Sequence, residues 1–396
     1  MGNDGKYQLD LLGTSVNVKD ENILASQFIY DVSNTTPDIL EISIKNLNAM
    51  GINGEYQSIF DSIVSSGNLS NLNSVNLGNE KELESLLNQI SAKTPYSYSL
   101  KSSKDSMNIC TNQIKNNETE NTIGQWTVLG GVVSGADSFN GKYSHNSNLS
   151  GLIATGEYGL NNSTSLGVVF GGGKGKLELD DNSSELKKDS FYIGGYSKKD
   201  IGNYRLLGSI GYQKDRYDSK RVLENSVDYF KFNKSYDVDG LNMFLQGRYS
   251  QELSNGVKIE PNLSFTYNYL SQEGIDEGDS PMSMKVDKEN SNLYEGEVGI
   301  DLSKEITLND ANKSTIFIGG AYSYLAGDTD SNFKGQIGNG SKFDFKGPDF
   351  GGSFGKVSLG TMVENLKGYS YGLKAEYVFG ENSQNLTGSL LLKYKF

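Results

Sequence analysis

The residues of this chain that look ready for chemistry are few, and each lacks something its chemistry needs. Gly351-Gly352-Ser353-Phe354-Gly355 and Gly368-Tyr369-Ser370-Tyr371-Gly372 both spell the nucleophile elbow G-x-S-x-G. That chemistry requires a strand-to-helix turn and a general base beside the serine. Both stretches lie in alternating strand patterns with no helix following, and the single histidine, His145, falls in an expected loop. Gly171-Gly172-Gly173-Lys174-Gly175-Lys176 has the glycines of a phosphate cradle, but Leu177 stands where a P-loop needs Ser or Thr. Glycines that permit strand curvature and make room for aromatic rings account for it better. Asp328-x-Asp330-x-Asn332 opens with calcium-loop spacing, yet Phe333 replaces the turn glycine and no Glu closes the loop. The lone Cys110 has no partner for an internal disulfide and reads as a small helix residue facing other side chains. No enzyme activity, cofactor or metal is expected.

What the chain does must therefore lie in its larger elements. Its net charge of −13 argues against nucleic-acid binding, which needs a basic footprint. It contains no run of eighteen apolar residues, so a transmembrane helix is excluded. A mean hydropathy of −0.49 does not exclude a membrane barrel, whose strands alternate lipid-facing and lumen-facing residues. The 24 Tyr, 17 Phe and 47 Gly suit such a barrel, as do only 5 Pro, since Pro breaks the strand ladder.

The hydrophobic period changes near residue 123. Before it, helical spacing dominates from about residue 38. Tyr56, Ile59, Phe60, Ile63 and Val64 share a helix face, and Asn79 precedes Glu82 as in a capping box. Leu83, Leu86, Leu87 and Ile90 continue at helical spacing, and Met107, Cys110 and Ile114 form a weaker stripe. Residues 1–35 read as a short β-rich remnant, with Tyr7, Leu9 and Leu11 alternating.

From 123 to 396 the pattern predicts about twelve strands with period two. Along 258–270, Ile259, Leu263, Phe265, Tyr267 and Tyr269 share one face, and Glu260, Asn262, Ser264, Thr266 and Asn268 the other. Along 203–217, Tyr204, Leu206, Ile210 and Tyr212 oppose Arg205, Ser209, Gln213 and Asp215. The apolar faces carry aromatics at strand ends, as membrane interfaces do. The opposite faces hold Glu157, Arg205, Arg248, Glu260, Glu297, Lys374 and Glu376, which would face a lumen. Short turns alternate with longer loops at 135–147, 179–187, 218–235, 272–286 and 328–350. The fold class predicted is all-β: a transmembrane antiparallel β-barrel of about twelve strands, preceded by an α-helical linker. The final strand ends Leu390-Leu391-Leu392-Lys393-Tyr394-Lys395-Phe396, with Leu390, Leu392, Tyr394 and Phe396 on one face.

With these features in order, residues 79–396 resemble the C-terminal translocator of the autotransporter family, the type V secretion proteins of Gram-negative bacteria. Leu83-Glu84-Ser85-Leu86-Leu87-Asn88-Gln89-Ile90-Ser91 is similar to the family's LxxLxQLSGE helix, and Gln125-Trp126 opens the first strand. Ile90-Ser91-Ala92 departs from the usual Leu-Ser-Gly, and Leu391 stands where the assembly signal would have Gly. The resemblance implies a barrel in the bacterial outer membrane that exports an N-terminal passenger to the cell surface and anchors it there. It implies recognition of Leu390, Leu392, Tyr394 and Phe396 by the barrel-assembly machinery. Outer-membrane lipid, lipopolysaccharide and the chain's own passenger segment are the other expected partners, with the protein a monomer. The start, Met1-Gly2-Asn3-Asp4, shows no signal peptide, so a fragment of a longer precursor is expected.

The resulting division is a passenger remnant (1–35), a helical linker that includes a lumen helix (36–122) and the barrel (123–396). A barrel of this strand number has room for one helix. Lys104, Asp105, Asn108, Asn112 and Lys115, with Lys101 and Gln113, are expected on that helix and would meet Glu157, Arg205, Glu260 and Glu376. Asn116-Asn117 has the form of a family self-cleavage site, although an Asn-rich stretch explains it by chance. Gly278-Asp279-Ser280-Pro281 is similar to a motif of lipolytic members but lacks the surrounding domain. Two other readings stay open: a porin-like channel, which needs an open lumen, and a surface adhesin using loops 218–235 and 328–350.

Overall fold

The computed structural model describes residues 6–10, 28–36, 39–91, 93–115, 123–180, 183–309 and 312–396. Twelve long antiparallel strands among them close into a barrel. They are β1 (Trp126–Phe139), β2 (His145–Asn161), β3 (Thr164–Leu179), β4 (Glu185–Ile201), β5 (Tyr204–Glu224) and β6 (Tyr229–Tyr249). The series continues with β7 (Val257–Gln272), β8 (Glu289–Asn309), β9 (Asn312–Gly327), β10 (Gly352–Asn365), β11 (Tyr369–Gly380) and β12 (Ser383–Lys395). Each pairs with its sequence neighbour, and β12 pairs with β1 to remove the sheet edges. Trp126 and Phe396 exchange backbone hydrogen bonds of 2.9 and 3.0 Å across that closure. This closure marks the near end of the barrel.

The distribution of side chains is inverted relative to a soluble protein. Leu152, Leu245, Leu263 and Leu359 point outward and are exposed, whereas Asn242, Asn268, Gln213 and Asp215 point inward and are buried. Along β7 the faces are those the sequence predicts: Leu263 and Phe265 outside, Glu260, Asn262, Ser264 and Thr266 inside. Aromatic pairs ring both ends of the outer face. Tyr204–Tyr249 and Tyr369–Tyr394 lie at the near end with ring centroids 5.0 and 4.4 Å apart, and Tyr267–Tyr294 at the far end, 5.2 Å apart. An outward apolar band between two aromatic girdles is the surface a bilayer requires.

Near-end turns are short. At the far end two connections are long and contain strands of their own, Ile275–Asp276, Met284–Val286, Asn332–Ile337 and Lys342–Lys346, which form a separate four-stranded sheet. The segment 218–235, predicted as a long loop, is a hairpin: β5 runs to Glu224 and β6 starts at Tyr229. These strands have 21 residues each, roughly 70 Å at the usual rise, against about ten needed to cross a bilayer. Their tips therefore project beyond the membrane. Segment 135–147 is likewise mostly strand, leaving a connection at 140–144, and in 179–187 the strands reach Leu179 on one side and start at Glu185 on the other.

Upstream, Lys6–Asp10, Ile39–Ile44 and Tyr30–Thr36 form a three-stranded antiparallel sheet in that spatial order. Strand structure thus continues past residue 38, where helical spacing is predicted to begin. The longer helices that follow are α1 (Gln57–Ser65), α2 (Glu80–Ser91) and α3 (Ser99–Lys115), with a one-turn helix at Asn73–Asn76 between the first two. Asn79 Oδ1 accepts a 3.4 Å bond from Glu82 N at the start of α2, as the spacing of those residues predicts. Ile59, Phe60 and Ile63 of α1 and Leu83, Leu86, Leu87 and Ile90 of α2 are buried in one core at the far end.

Candidate functional site

Helix α3 lies in the barrel lumen. Pro95 opens the preceding turn, where its missing N–H costs nothing, and the helix continues for 17 residues, roughly 25 Å. The stripe Met107, Cys110 and Ile114 is buried, extended upstream by Leu100 and Ser103. These residues lean on one side of the barrel. A Cβ built on Gly240 falls 2.3 Å from Met107 Cε, and one on Gly171 falls 2.7 Å from Cys110 Sγ, so bare backbone at these two positions admits the helix. Polar bonds finish this contact. Gln213 donates to Ser103 O at 2.9 Å, Tyr217 donates to Ser99 O at 2.9 Å and Lys188 donates to Ser102 O at 2.6 Å. Thr111 Oγ1 donates to Asn242 Oδ1 at 3.2 Å.

The opposite side of α3 is charged. Lys101 Nζ lies 2.7 Å from Asp137 on β1 and 2.9 Å from Asp105 one turn on. Lys104 reaches Glu295 of β8 at 3.6 Å, and Lys115 pairs with Glu297 of the same strand. Lys356 of β10 joins both carboxylates, at 2.6 and 2.7 Å. Asn112 donates to Glu376 of β11 at 2.8 Å, and Lys374 stands 3.3 Å from the same carboxylate. A cavity of about 150 Å³ runs beside this face, lined by Lys104, Asp105, Asn108 and Asn112 among others. Charges removed from water require partners, and here the helix and the wall supply them to each other.

Of the wall groups expected to meet the helix, Glu376 does so through Asn112. Glu157 lies with Lys198 at 2.7 Å, Tyr196 at 3.0 Å and Ser165 at 2.8 Å. Arg205 pairs with Asp200 at 2.7 Å, and Arg248 spans Glu260 at 3.5 Å and Asp301 at 3.4 Å. Asp137, Glu295 and Glu297 meet the helix cations. Glu297 faces inward as the alternation predicts. Glu295, two residues away on the same face, carries the same signal: two inward carboxylates on one strand demand cations. Asn116 and Asn117 lie outside the described residues.

The other features singled out in the sequence fall into structural places. Ser353 and Ser370 lie within β10 and β11, and Lys174 and Lys176 within β3. His145 begins β2, stacked on Phe139 with ring centroids 5.4 Å apart. Among the described residues no group of three or more His, Cys, Asp or Glu is placed to hold a metal ion.

At the far end, α3 is tied to the wall by a buried trio. The Arg221 guanidinium of β5 donates to Glu277 at 2.7 Å and to Met282 O at 2.9 Å, and its Cζ lies 4.4 Å from the Phe232 ring centroid. Tyr96, in the turn entering α3, donates to the same Glu277 carboxylate. Burial, reinforced by Glu277, holds the Tyr96 phenol well above its ordinary range, so it stays a donor.

The position of α3 can be checked directly. Cysteine in place of Gly171 (G171C) is expected to cross-link to Cys110 on mild oxidation, because the two side chains would lie within disulfide reach. The readout is a mobility shift reversed by reductant. No shift would mean that α3 sits at another register.

A closed barrel with an apolar outer band, two aromatic girdles and its own upstream helix bonded inside is a transmembrane translocator of the outer-membrane type. Residues 126–376 match the Autotransporter beta-domain family, and the chain belongs to that family. Its fold is similar to the translocator domain of the autotransporter NalP from Neisseria meningitidis, with TM-score 0.61 and 16% identity over 76% of this chain and 99% of that one. It is also similar to the transport unit of the autotransporter AIDA-I from Escherichia coli, with TM-score 0.51 and 14% identity over 76% and 99%. The Escherichia coli (strain K12) protein YaiT is 25% identical over 278 residues, 68% of this chain but only 27% of that relative's length. The chain is thus an outer-membrane translocator domain, a transport unit for its own passenger segment, with the passenger on the cell surface. The near end is then periplasmic and the far end extracellular.

Proposed function

We propose that this arrangement is the one reached after export, with α3 as the trailing segment that closes the lumen and anchors everything upstream of it outside. The observation that carries this reading is the set of bonds from one helix to β1, β8 and β11, which spans the lumen from wall to wall. Lys104, Asp105, Asn112 and Lys115, with Asn108 beside the cavity, serve as the helix side of the plug. Glu157, Arg205, Arg248 and Glu260 serve to stabilise the wall. Residues 1–35 represent the end of a passenger, and 36–122 the linker. Leu390, Leu392, Tyr394 and Phe396 point outward and are all exposed, a surface available to the barrel-assembly machinery. The outer band would contact lipid and, on the extracellular side, lipopolysaccharide.

Single-channel conductance in planar bilayers tests the plug. The full chain should conduct weakly, and a chain starting near residue 120 should conduct several times more. High conductance in both would move the porin-like reading ahead.

A further inference from the structure

The outer face of the barrel is not alike all round at its extracellular margin. Strand register sets outward residues of neighbouring strands side by side, so they can be compared at one height. In the row of Lys174 on β3, β4 presents Asp189, β5 Arg216 and β6 Asp237. The row beneath carries Phe191, Lys214 and Asp239, and the row above carries Lys176, Lys187 and Asp218. Followed the other way, the row of Lys174 holds Ser150 on β2 and Ser134 on β1, and the next row up holds Asn148 and Ala136. Beyond β6, Ser271 and Asn290 continue the row of Lys214. Charge is thus gathered on β3–β6, flanked on both sides by uncharged strands.

This block stands directly on the apolar band. Phe170, Ile193 and Tyr212 form the adjoining row toward the membrane, and all three are exposed. The block keeps the outward alternation of the lipid-facing residues, so whatever touches the band beneath also meets the charges above it.

Most of the lysines are held by carboxylates. Lys174 lies 3.3 Å from Asp189 and Lys214 2.7 Å from Asp237, while Lys176 and Lys187 share Glu185 at 3.1 and 3.4 Å. Arg216 sits between Asp189 and Asp237, both already engaged by those lysines. Among the described residues Arg216, Lys220 and Lys231 have no ion pair. They rise in that order on the outward face of the β5–β6 hairpin, where Ser235 and Asn233 stand between them. Arg216 and Lys220, four residues apart on one face, are separated by roughly 13 Å. Their strands bury Tyr217, Arg221 and Tyr236 on the inner side, so these cations face only outward.

We infer that the outer face of β3–β6 is a binding site for a phosphorylated glycolipid of the outer leaflet. Acyl chains would lie on Phe170, Ile193 and Tyr212, phosphates would be met by Arg216 and Lys220, and sugar hydroxyls by Asn233 and Ser235. A guanidinium and an ammonium without carboxylates of their own suit phosphate, and a disaccharide phosphorylated at each end can span the two. This rests on the reading above that the extracellular part of the band contacts lipopolysaccharide, and it places that contact on four of the twelve strands.

The test uses the full chain refolded in detergent, with barrel assembly verified by heat-dependent gel mobility. Binding of diphosphoryl lipid A is titrated beside its dephosphorylated form and inorganic pyrophosphate. Arg216→Glu combined with Lys220→Glu should weaken diphosphoryl lipid A on the order of tenfold, since it replaces two phosphate contacts with repulsion. The matched pair Ser138→Glu with Asn148→Glu, on the uncharged margin, should leave the affinity as it is. Dephosphorylated lipid A should bind the unaltered chain more weakly, and pyrophosphate should compete poorly because it lacks the acyl contacts. Equal affinity in the Arg216/Lys220 variant and the unaltered chain, or equal loss in both variants, would overturn the site. Pyrophosphate competing as well as lipid A would overturn a lipid ligand in favour of free phosphate. No binding of lipid A by the unaltered chain would overturn the lipopolysaccharide contact itself.

Discussion

Replacing Glu297 with lysine is expected to destabilise the folded barrel by roughly 3–5 kcal/mol and to loosen α3. Glu297 is met by Lys115 from the helix and by Lys356 from β10, and all three side chains are largely withdrawn from water. The substitution removes the carboxylate that pairs with Lys115 and sets a third cation beside the two. Lys356 would keep Glu295, but that carboxylate is already shared with Lys104. The large cost comes from leaving charge buried without its counter-charge rather than from the worth of the original pair. Glu297→Gln should therefore cost less, since it keeps an acceptor and adds no charge. The temperature at which folded barrel converts to the unfolded band on a gel reads the stability, and channel conductance reads the helix. An unchanged transition with unchanged conductance in Glu297→Lys would show that these pairs do not hold α3.

Arg221→Ala should have a comparable effect confined to the extracellular side. Arg221 and Glu277 are both completely buried, and Glu277 also receives Tyr96 and the backbone N–H of Met284. Deleting the guanidinium strands a carboxylate in the interior and leaves a void against Phe232, again a loss of roughly 3–5 kcal/mol. The trio connects β5, a long extracellular connection and the entry to α3, so the packing of 47–98 on the extracellular connections should open while the transmembrane wall stays paired. Limited proteolysis should cut within 47–98 much faster in the variant, with the barrel's own heat transition little moved. Equal cleavage rates would mean that apolar packing alone holds 47–98 on the extracellular connections.

The wall was readable from sequence because lipid imposes a strict rule on every strand that crosses it. Leu263 and Phe265 against Ser264 and Thr266 can be assigned to faces by counting, as can Tyr204 and Leu206 against Arg205. Where the rule ends, so does legibility. Ser219, Lys220, Asn233 and Lys234 lie on strands that have left the bilayer, and with no lipid to one side their polar run looks like a loop. The stripe Met107, Cys110 and Ile114 marked a helix correctly, but its partners did not follow from it. Which wall carboxylate faces Lys104 or Lys115 depends on strand stagger and on the rotation of the helix in the lumen, neither of which is written in local periodicity. Glu260 and Glu297 are equivalent by alternation, and only the closed barrel distinguishes them. The packing outside the membrane was hidden for another reason: Phe343 and Phe345 alternate in a stretch flanked by Gly, Asp and Asn, and their burial depends on α1, more than 270 residues away in the chain.

The bonds of α3 are spread along its axis, from Tyr96 and Lys101 at one end to Asn112 and Lys115 at the other. A tug on the surface segment acts along that same axis. The attachments are then strained in parallel, as in shear, and must yield together rather than peel apart one after another. The anchor's rupture force should accordingly exceed what any one of these pairs could resist, and loss of a single peripheral pair should weaken the grip only by its share.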